Sequence, residues 1–240
     1  MSFGANVVKK VQDAFKVRPM MPFGMSFEIG TIGIVEDDQF STRGTVESVL
    51  KIPRGSIVQS RQSSNWQATS GEDVELNILG DGEASALFPA APKANVKIEV
   101  SFSKAESFLV TVNNLTISTL REPLALIEAM QDAYRRGVWR KDYILIYETV
   151  TPAETLLLLS RSAGTKLLLT ADTKVAPAGL ADIAGKFSLS YQSEDLMRFA
   201  SGGQPLFYNA YRVKESFWTG NLAAETFGAD DPTGGILEHV

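Results

Sequence analysis

The chain contains no cysteine. Disulfides, thiolate zinc sites, thiol nucleophiles and cysteine lipidation are therefore excluded. It has one histidine, His239, the penultimate residue. A Ser-His mechanism would need that imidazole in a flexible tail, so none is expected. No run of about 18 apolar residues occurs, which excludes a constitutive transmembrane helix. The N-terminus lacks a continuous apolar stretch of the secretory type, because Lys9 and Lys10 interrupt the place where one would lie. The expected location is therefore cytoplasmic. The net charge of -5 argues against general nucleic-acid binding.

Nucleotide motifs are missing too. Gly164-Thr165-Lys166 and Gly185-Lys186 lack P-loop spacing, and Ser201-Gly202-Gly203 lacks the dinucleotide pattern. The adjacent acids at Glu36-Asp37-Asp38 and Asp230-Asp231 sit in turns, where carboxylates are usually solvated. Asn114-Leu115-Thr116 matches a glycosylation acceptor, but without an export signal it carries little weight. No catalytic, cofactor or metal site is expected.

What the chain does have is length, a core and period-two patterning. At 240 residues and 44% hydrophobic content it can form one large or two small domains. Charge is uneven at its ends. Residues 1–18 hold Lys9, Lys10, Lys16 and Arg18 against Asp13 alone, whereas residues 219–240 hold four acids and no Lys or Arg. Residues 6–17 have Val7, Val8, Val11 and Phe15 at helical spacing, and Pro19 ends the run. Such a helix either covers a sheet edge or meets an anionic lipid surface.

Strand signals dominate the rest. Residues 27–35 read as a strand in which Gly30 and Gly33 mark a bulge or a close backbone approach. Residues 45–52 alternate again, and the polar stretch 60–71 reads as a long loop or an irregular edge anchored by Trp66. Val96, Ile98, Val100 and Phe102 alternate with Lys97, Glu99, Ser101 and Ser103, and Phe108, Val110 and Val112 follow. A helix is expected next, with Leu120, Leu124, Ile127, Met130 and Tyr134 on its apolar face. Thr119-Leu120-Arg121-Glu122 has the capping-box form, and Gly137 is the stop. Residues 143–150, 156–159, 167–169 and 186–191 form a second strand block, and 196–200 read as a helical turn. Phe207, Tyr208, Tyr211 and Val213 form a final aromatic strand. Residues 219–240 are rich in glycine and acid, with scattered Leu222, Phe227, Ile236 and Leu237. The fold class expected is α+β, a twisted, mostly antiparallel sheet with surrounding helices.

A resemblance attaches to two stretches. Asp142-Tyr143-Ile144-Leu145-Ile146-Tyr147-Glu148-Thr149-Val150, directly after Arg135-Arg136-Gly137, is similar to a strand of the gasdermin family. Phe27-Glu28-Ile29-Gly30, with the following acidic turn and Phe40, looks like that family's early strand pair. The order of elements over residues 1–218 resembles the family's pore-forming domain in compact bacterial or fungal members. Residues 219–240 stand where those members carry a short inhibitory tail. Bacterial members commonly carry an acylated cysteine near the N-terminus, which this chain lacks.

The resemblance implies a stored form in which Leu222, Phe227, Ile236 and Leu237 fill grooves on the body. A caspase-like or subtilisin-like protease would cut around Ser216, Thr219, Gly220, Asn221 and Leu222. Lys9, Lys10, Lys16 and Arg18 would then meet anionic membrane lipid at the inner face of the cell membrane. The freed body would oligomerise into a β-barrel pore and kill the cell, as in antiviral defence. Val96, Ile98, Val100, Phe102, Val110, Val112, Ile144, Ile146, Leu167, Leu169, Phe187 and Leu189 would belong to the inserting strands. Segments 95–104, 106–115 and 142–151 have the roughly 9–11 residues such strands need, and the first two would pair as a hairpin. Ordinary antiparallel sheets show the same alternation, so a non-inserting α+β module that binds lipid or protein is the competing reading.

Overall fold

The computed structural model describes residues 3–20, 25–36, 39–63, 66–79, 97–170, 188–191, 196–201, 203–215 and 222–226. The protein is a mixed α+β fold whose registered strand pairs are antiparallel. It divides into two compact units, each assembled from three stretches of chain.

The first unit comprises Met1–Lys16, Ser63–Leu115 and Pro152–Gln204. Its helix α1 spans Phe3–Phe15. Val8 and Val11 are buried, and the Phe15 ring stacks on Trp66 at 5.3 Å. The apolar stripe of α1 is thus used in packing. The unit contains strands β5 (Trp66–Thr69), β6 (Val74–Leu79) and β7 (Lys97–Phe102). To these it adds the first part of β8 (Phe108–Leu120) and the last part of β9 (Ile144–Ser160). Strands β10 (Thr165–Thr170), β11 (Ser188–Tyr191) and β12 (Leu196–Ser201) complete it. One sheet runs β11-β10-β7-β6. In the other, β5 pairs with β8 and β12 pairs with β9.

Four expectations are corrected in this unit. Strands β7 and β8 do not form a hairpin with each other. They enter different sheets, because the chain turns at Glu106, whose φ is +59°. Residues 196–200 are strand, not helical turn, because their backbone groups complete a ladder with Leu156–Ser160. The polar stretch 60–71 contains the end of strand β4 (Val58–Ser63) and all of β5 rather than one loop. Residues 144–150 and 156–159 belong to one continuous strand, β9.

The second unit comprises Val17–Gln62, Thr116–Thr151 and Pro205–Val240. Its sheet contains β1 (Arg18–Pro19), β13 (Phe207–Glu215), the first part of β9, β2 (Thr31–Glu36) and β3 (Gln39–Thr45), in that order. Strand β14 (Leu222–Thr226) pairs with β13 beyond β1. Both sheet faces are buried. Ile144 and Ile146 pack with Met20, Phe27, Phe40 and Tyr208. Leu145 packs on the other face with Val46, Leu50, Met130 and Trp139.

Gly33 sits at the register shift between β2 and β3. A Cβ there would lie 2.3 Å from the Ser41 carbonyl oxygen, so the close approach expected at this glycine is real. Residues 46–50 are not strand: they form a π-turn capped by a Thr45–Ser48 hydrogen-bond box. Val46 and Leu50, four residues apart, are both buried in the core. A one-turn helix α2 (Arg54–Ile57) follows.

Helix α3 spans Pro123–Arg135 and buries Leu126, Met130 and Ala133. The expected face was offset: Leu124 is exposed and Leu120 lies in β8. The capping box at Thr119 is also absent. Thr119 belongs to β8 and its hydroxyl donates to Glu148, while Pro123 opens the helix. Gly137, at φ +71°, ends it as expected.

Candidate functional site

The site of interest is the four-stranded sheet of the first unit. Its antiparallel register aligns Leu76, Val100, Leu167 and Tyr191 as successive Cα partners, and likewise Ile78, Ile98, Leu169 and Leu189. Six residues expected in inserting strands therefore lie in this sheet: Ile98, Val100, Phe102, Leu167, Leu169 and Leu189. Val100, Phe102 and Leu167 are buried. The alternate positions are mostly polar, with Leu168 opposite Glu99 and Leu79 opposite Lys97 as exceptions. Glu75, Ser101 and Lys166 are successive partners, and Lys166 lies 3.8 Å from Glu99. Period-two patterning thus separates an apolar face from a charged one.

The strands β6 and β7 are the two arms of one hairpin, as are β10 and β11. The connections, residues 80–96 and 171–187, lie outside the described residues, and so do Val96 and Phe187. The remaining expected residues fall elsewhere. Val110 and Val112 are buried in β8. Ile144 and Ile146 lie in the core of the second unit.

The sheet turns into the unit's other strands through a dense set of hydrogen bonds. Glu106 N donates to Ser160 O and Ser160 N donates to Ser107 O, both at 2.9 Å. Gly164 N donates to Phe102 O at 2.8 Å, and Ser103 N to Asp73 O at 2.9 Å. Lys104 Nζ sits 2.6 Å from Asp73 Oδ1. Its hydrogen bond to Asp73, and the charge of that carboxylate, push the Lys104 pKa up. Among the described residues of this unit four buried hydroxyls have no hydrogen-bond partner: Ser101, Ser107, Thr111 and Thr155. An unpaired buried polar group costs about 1–3 kcal/mol. Sequence reading missed them because a Ser or Thr in an alternating strand looks like a solvent-facing residue.

The basic residues expected at a lipid surface are placed differently from one another. Lys9 and Lys16 are exposed. Lys10 is half-buried and donates to the Glu106 carbonyl at 3.3 Å. Arg18 belongs to β1, in the second unit.

Of the tail residues, Leu222 alone is described. It is half-buried against the core that contains Trp139 and Tyr211, and its carbonyl accepts from Gln131 Nε2 at 3.0 Å. Ser216, Thr219, Gly220, Asn221, Phe227, Ile236 and Leu237 lie outside the described residues.

The second unit has a polar cluster that the sequence did not flag. Glu148 accepts from Asn209 Nδ2 at 3.0 Å and from Thr119 Oγ1 at 3.3 Å. Burial, then the Glu148 charge, push the Tyr211 phenol up. Its ring stacks on Tyr147 at 3.9 Å. An open concavity of about 580 Å³ is lined by Leu50, Ala129, Asp132, Arg135 and Arg136. Asp132 is already bound to Arg135 at 2.6 Å.

Among the described residues no helix is long and apolar enough to cross a membrane, a test that does not address strands. No protein-family model matches the chain. No curated protein matches it. Among solved structures the chain aligns with a bacterial gasdermin from Bradyrhizobium tropiciagri. The alignment covers 91% of this chain and 90% of that one, at 10% sequence identity and a TM-score of 0.33.

Proposed function

We propose that this chain is a gasdermin-like pore-forming protein held in a non-inserted state, rather than an enzyme. The reading rests on one observation: two hairpins, β6–β7 and β10–β11, lie side by side with one apolar and one charged face. Lipid admits only helices and closed barrels, because backbone groups there must pair internally. A hairpin pair with this alternation is a barrel segment lacking neighbours. Among the described residues its outer strands, β6 and β11, end the sheet order, and such edges suit pairing with further copies.

In this reading the activating step is proteolysis between residues 216 and 222 by a caspase-like or subtilisin-like protease. Strand β14 then loses its covalent tie to β13, and among the described residues its ladder, Leu222 and Gln131 hold it. Lys9 and Lys16 supply attraction to anionic lipid, about 1 kcal/mol each near such a surface. Oligomers then close the barrel in the cell membrane, with cell death in defence as the outcome.

Dye release from anionic liposomes tests this, comparing the intact chain with one cut between residues 216 and 222. Leakage only after cutting supports both pore and latch. Leakage from both forms retains the pore and removes the latch. Silence from both, with folded protein and several lipid compositions, contradicts the reading and favours a non-inserting binding module.

A further inference from the structure

The two sheets of the first unit share one register. Along β7 and β10 the partners run from Lys97↔Thr170 to Phe102↔Thr165. Continuing that count through the turn brings Ser107 opposite Ser160. Those are the residues whose backbones are hydrogen-bonded where β8 meets β9. The inner strand pair therefore keeps one register on both sides of the turn.

The outer strands follow the same rule with a small slip. Counting back from Val74↔Phe102 would place Thr69 opposite Ser107, and the structure pairs Thr69 with Leu109. Counting from Leu167↔Tyr191 would place Ser160 opposite Arg198, and the structure pairs Ser160 with Leu196. Each slip is two residues, as the partners show. An even slip leaves every side chain on its original face, whereas an odd one would flip it.

The turn itself is built from few residues. Gly71, Glu106 and Gly164 stand at φ +90°, +59° and +79°, one on each of three strand paths. A left-handed residue breaks a strand, and in a non-glycine it is strained.

We propose that these two sheets are a single four-stranded register folded at a corner. Conversion to a spanning form would straighten Gly71, Glu106 and Gly164 while strand order and inner register stay in place. This inference rests on the pore-forming reading above. In the straightened strand, Ser101, Ser107 and Thr111 fall on the Glu99 side of the alternation, opposite Val100 and Phe102. Ser101 already stands on that side, between Glu75 and Lys166, so the change falls on Ser107 and Thr111, which move from a dry interior to a water-facing surface together with Leu109, which shares their side. Thr155 falls on the other face and gains nothing. Straightening also joins short strands into long ones: β7 with β8, and β9 with β10. The six residues of β7 or β10 alone are short of the roughly 9–11 that a membrane strand needs.

The absence of cysteine makes the test clean. Ser101→Cys and Lys166→Cys, at register partners, are joined by oxidation or a short bis-thiol reagent. Liposome leakage after the 216–222 cut is compared between the reduced and crosslinked forms of the same variant. Leakage within about twofold in the two forms is expected, since the pair never separates. A drop of tenfold or more on crosslinking, reversed by reductant for the disulfide, would show that the strands re-pair and overturns the inference alone. Silence of the reduced form as well overturns the pore-forming reading and this inference with it. A second variant pair reads the corner. Valine disfavours left-handed backbone and glycine accepts it, so Glu106→Val should leak faster than Glu106→Gly. The reverse order overturns the corner's role.

Discussion

Lys10 donates its ammonium to the carbonyl of Glu106, 96 residues away in sequence, at 3.3 Å. One residue expected to face lipid therefore braces the strained residue of the corner. A half-buried charged hydrogen bond of this length contributes about 1 kcal/mol. Lys10→Met keeps the stem and removes the donor. It should lower the urea midpoint of the first unit and speed leakage after cutting, whereas Lys10→Arg, which keeps a cationic donor, should change the midpoint far less. Equal effects of the two substitutions in urea titration would remove Lys10 from the corner.

The unpaired hydroxyls have an unusual signature: their removal should stabilise. Thr111→Val deletes a buried oxygen that has no partner while keeping volume. It should raise the unfolding free energy by about 1–3 kcal/mol, read by chemical denaturation. The same variant should insert more slowly, because its stored form no longer carries that instability. Destabilisation would mean that the hydroxyl has a partner in solution.

Gly33 is a structural requirement of the second unit. A methyl group there meets the Ser41 carbonyl at 2.3 Å and the Phe40 ring at 2.5 Å, so backbone must move. Gly33→Ala should cost about 3 kcal/mol or more, at the severe end for point substitutions. Circular dichroism melting would show it, and a shift of only a degree or two would contradict the packing described.

Leu222 joins β14 to the core beside Trp139 and Tyr211. Gln131→Ala, which removes only the bond to the Leu222 carbonyl, should cost about 0.5–1.5 kcal/mol. Hydrogen exchange should then quicken in β14 before it does in β13. Uniform exchange across both strands would show that they open as one element.

These features differ in how far the sequence disclosed them. Alternation at Val100 and Phe102 was legible because a strand with one buried face must repeat every two residues. The corner was not, since alternation looks identical on both sides of it and Glu106 carries no glycine signal. Leu196 to Ser201 was misread because its apolar spacing also fits one helical turn, and only the ladder to β9 decides between them. Residues 46–50 failed in the opposite sense: Thr45 and Ser48 cap a turn that short-range hydrophobicity alone does not reveal. The expected start of α3 at Thr119 lost to strand pairing, with Pro123 the usable signal. Unpaired hydroxyls cannot be read from sequence at all, because satisfaction depends on neighbours brought in from elsewhere.

The central claim is that these strands cross a bilayer with alternate side chains in lipid. An environment-sensitive fluorophore on single cysteines at Val100, Ser101, Lys166 and Leu167 reads this residue by residue in liposomes after cutting. The account predicts blue-shifted, lipid-quenched emission at Val100 and Leu167, and water-like emission at Ser101 and Lys166. The same emission at all four positions, whether buried or wet, would contradict it.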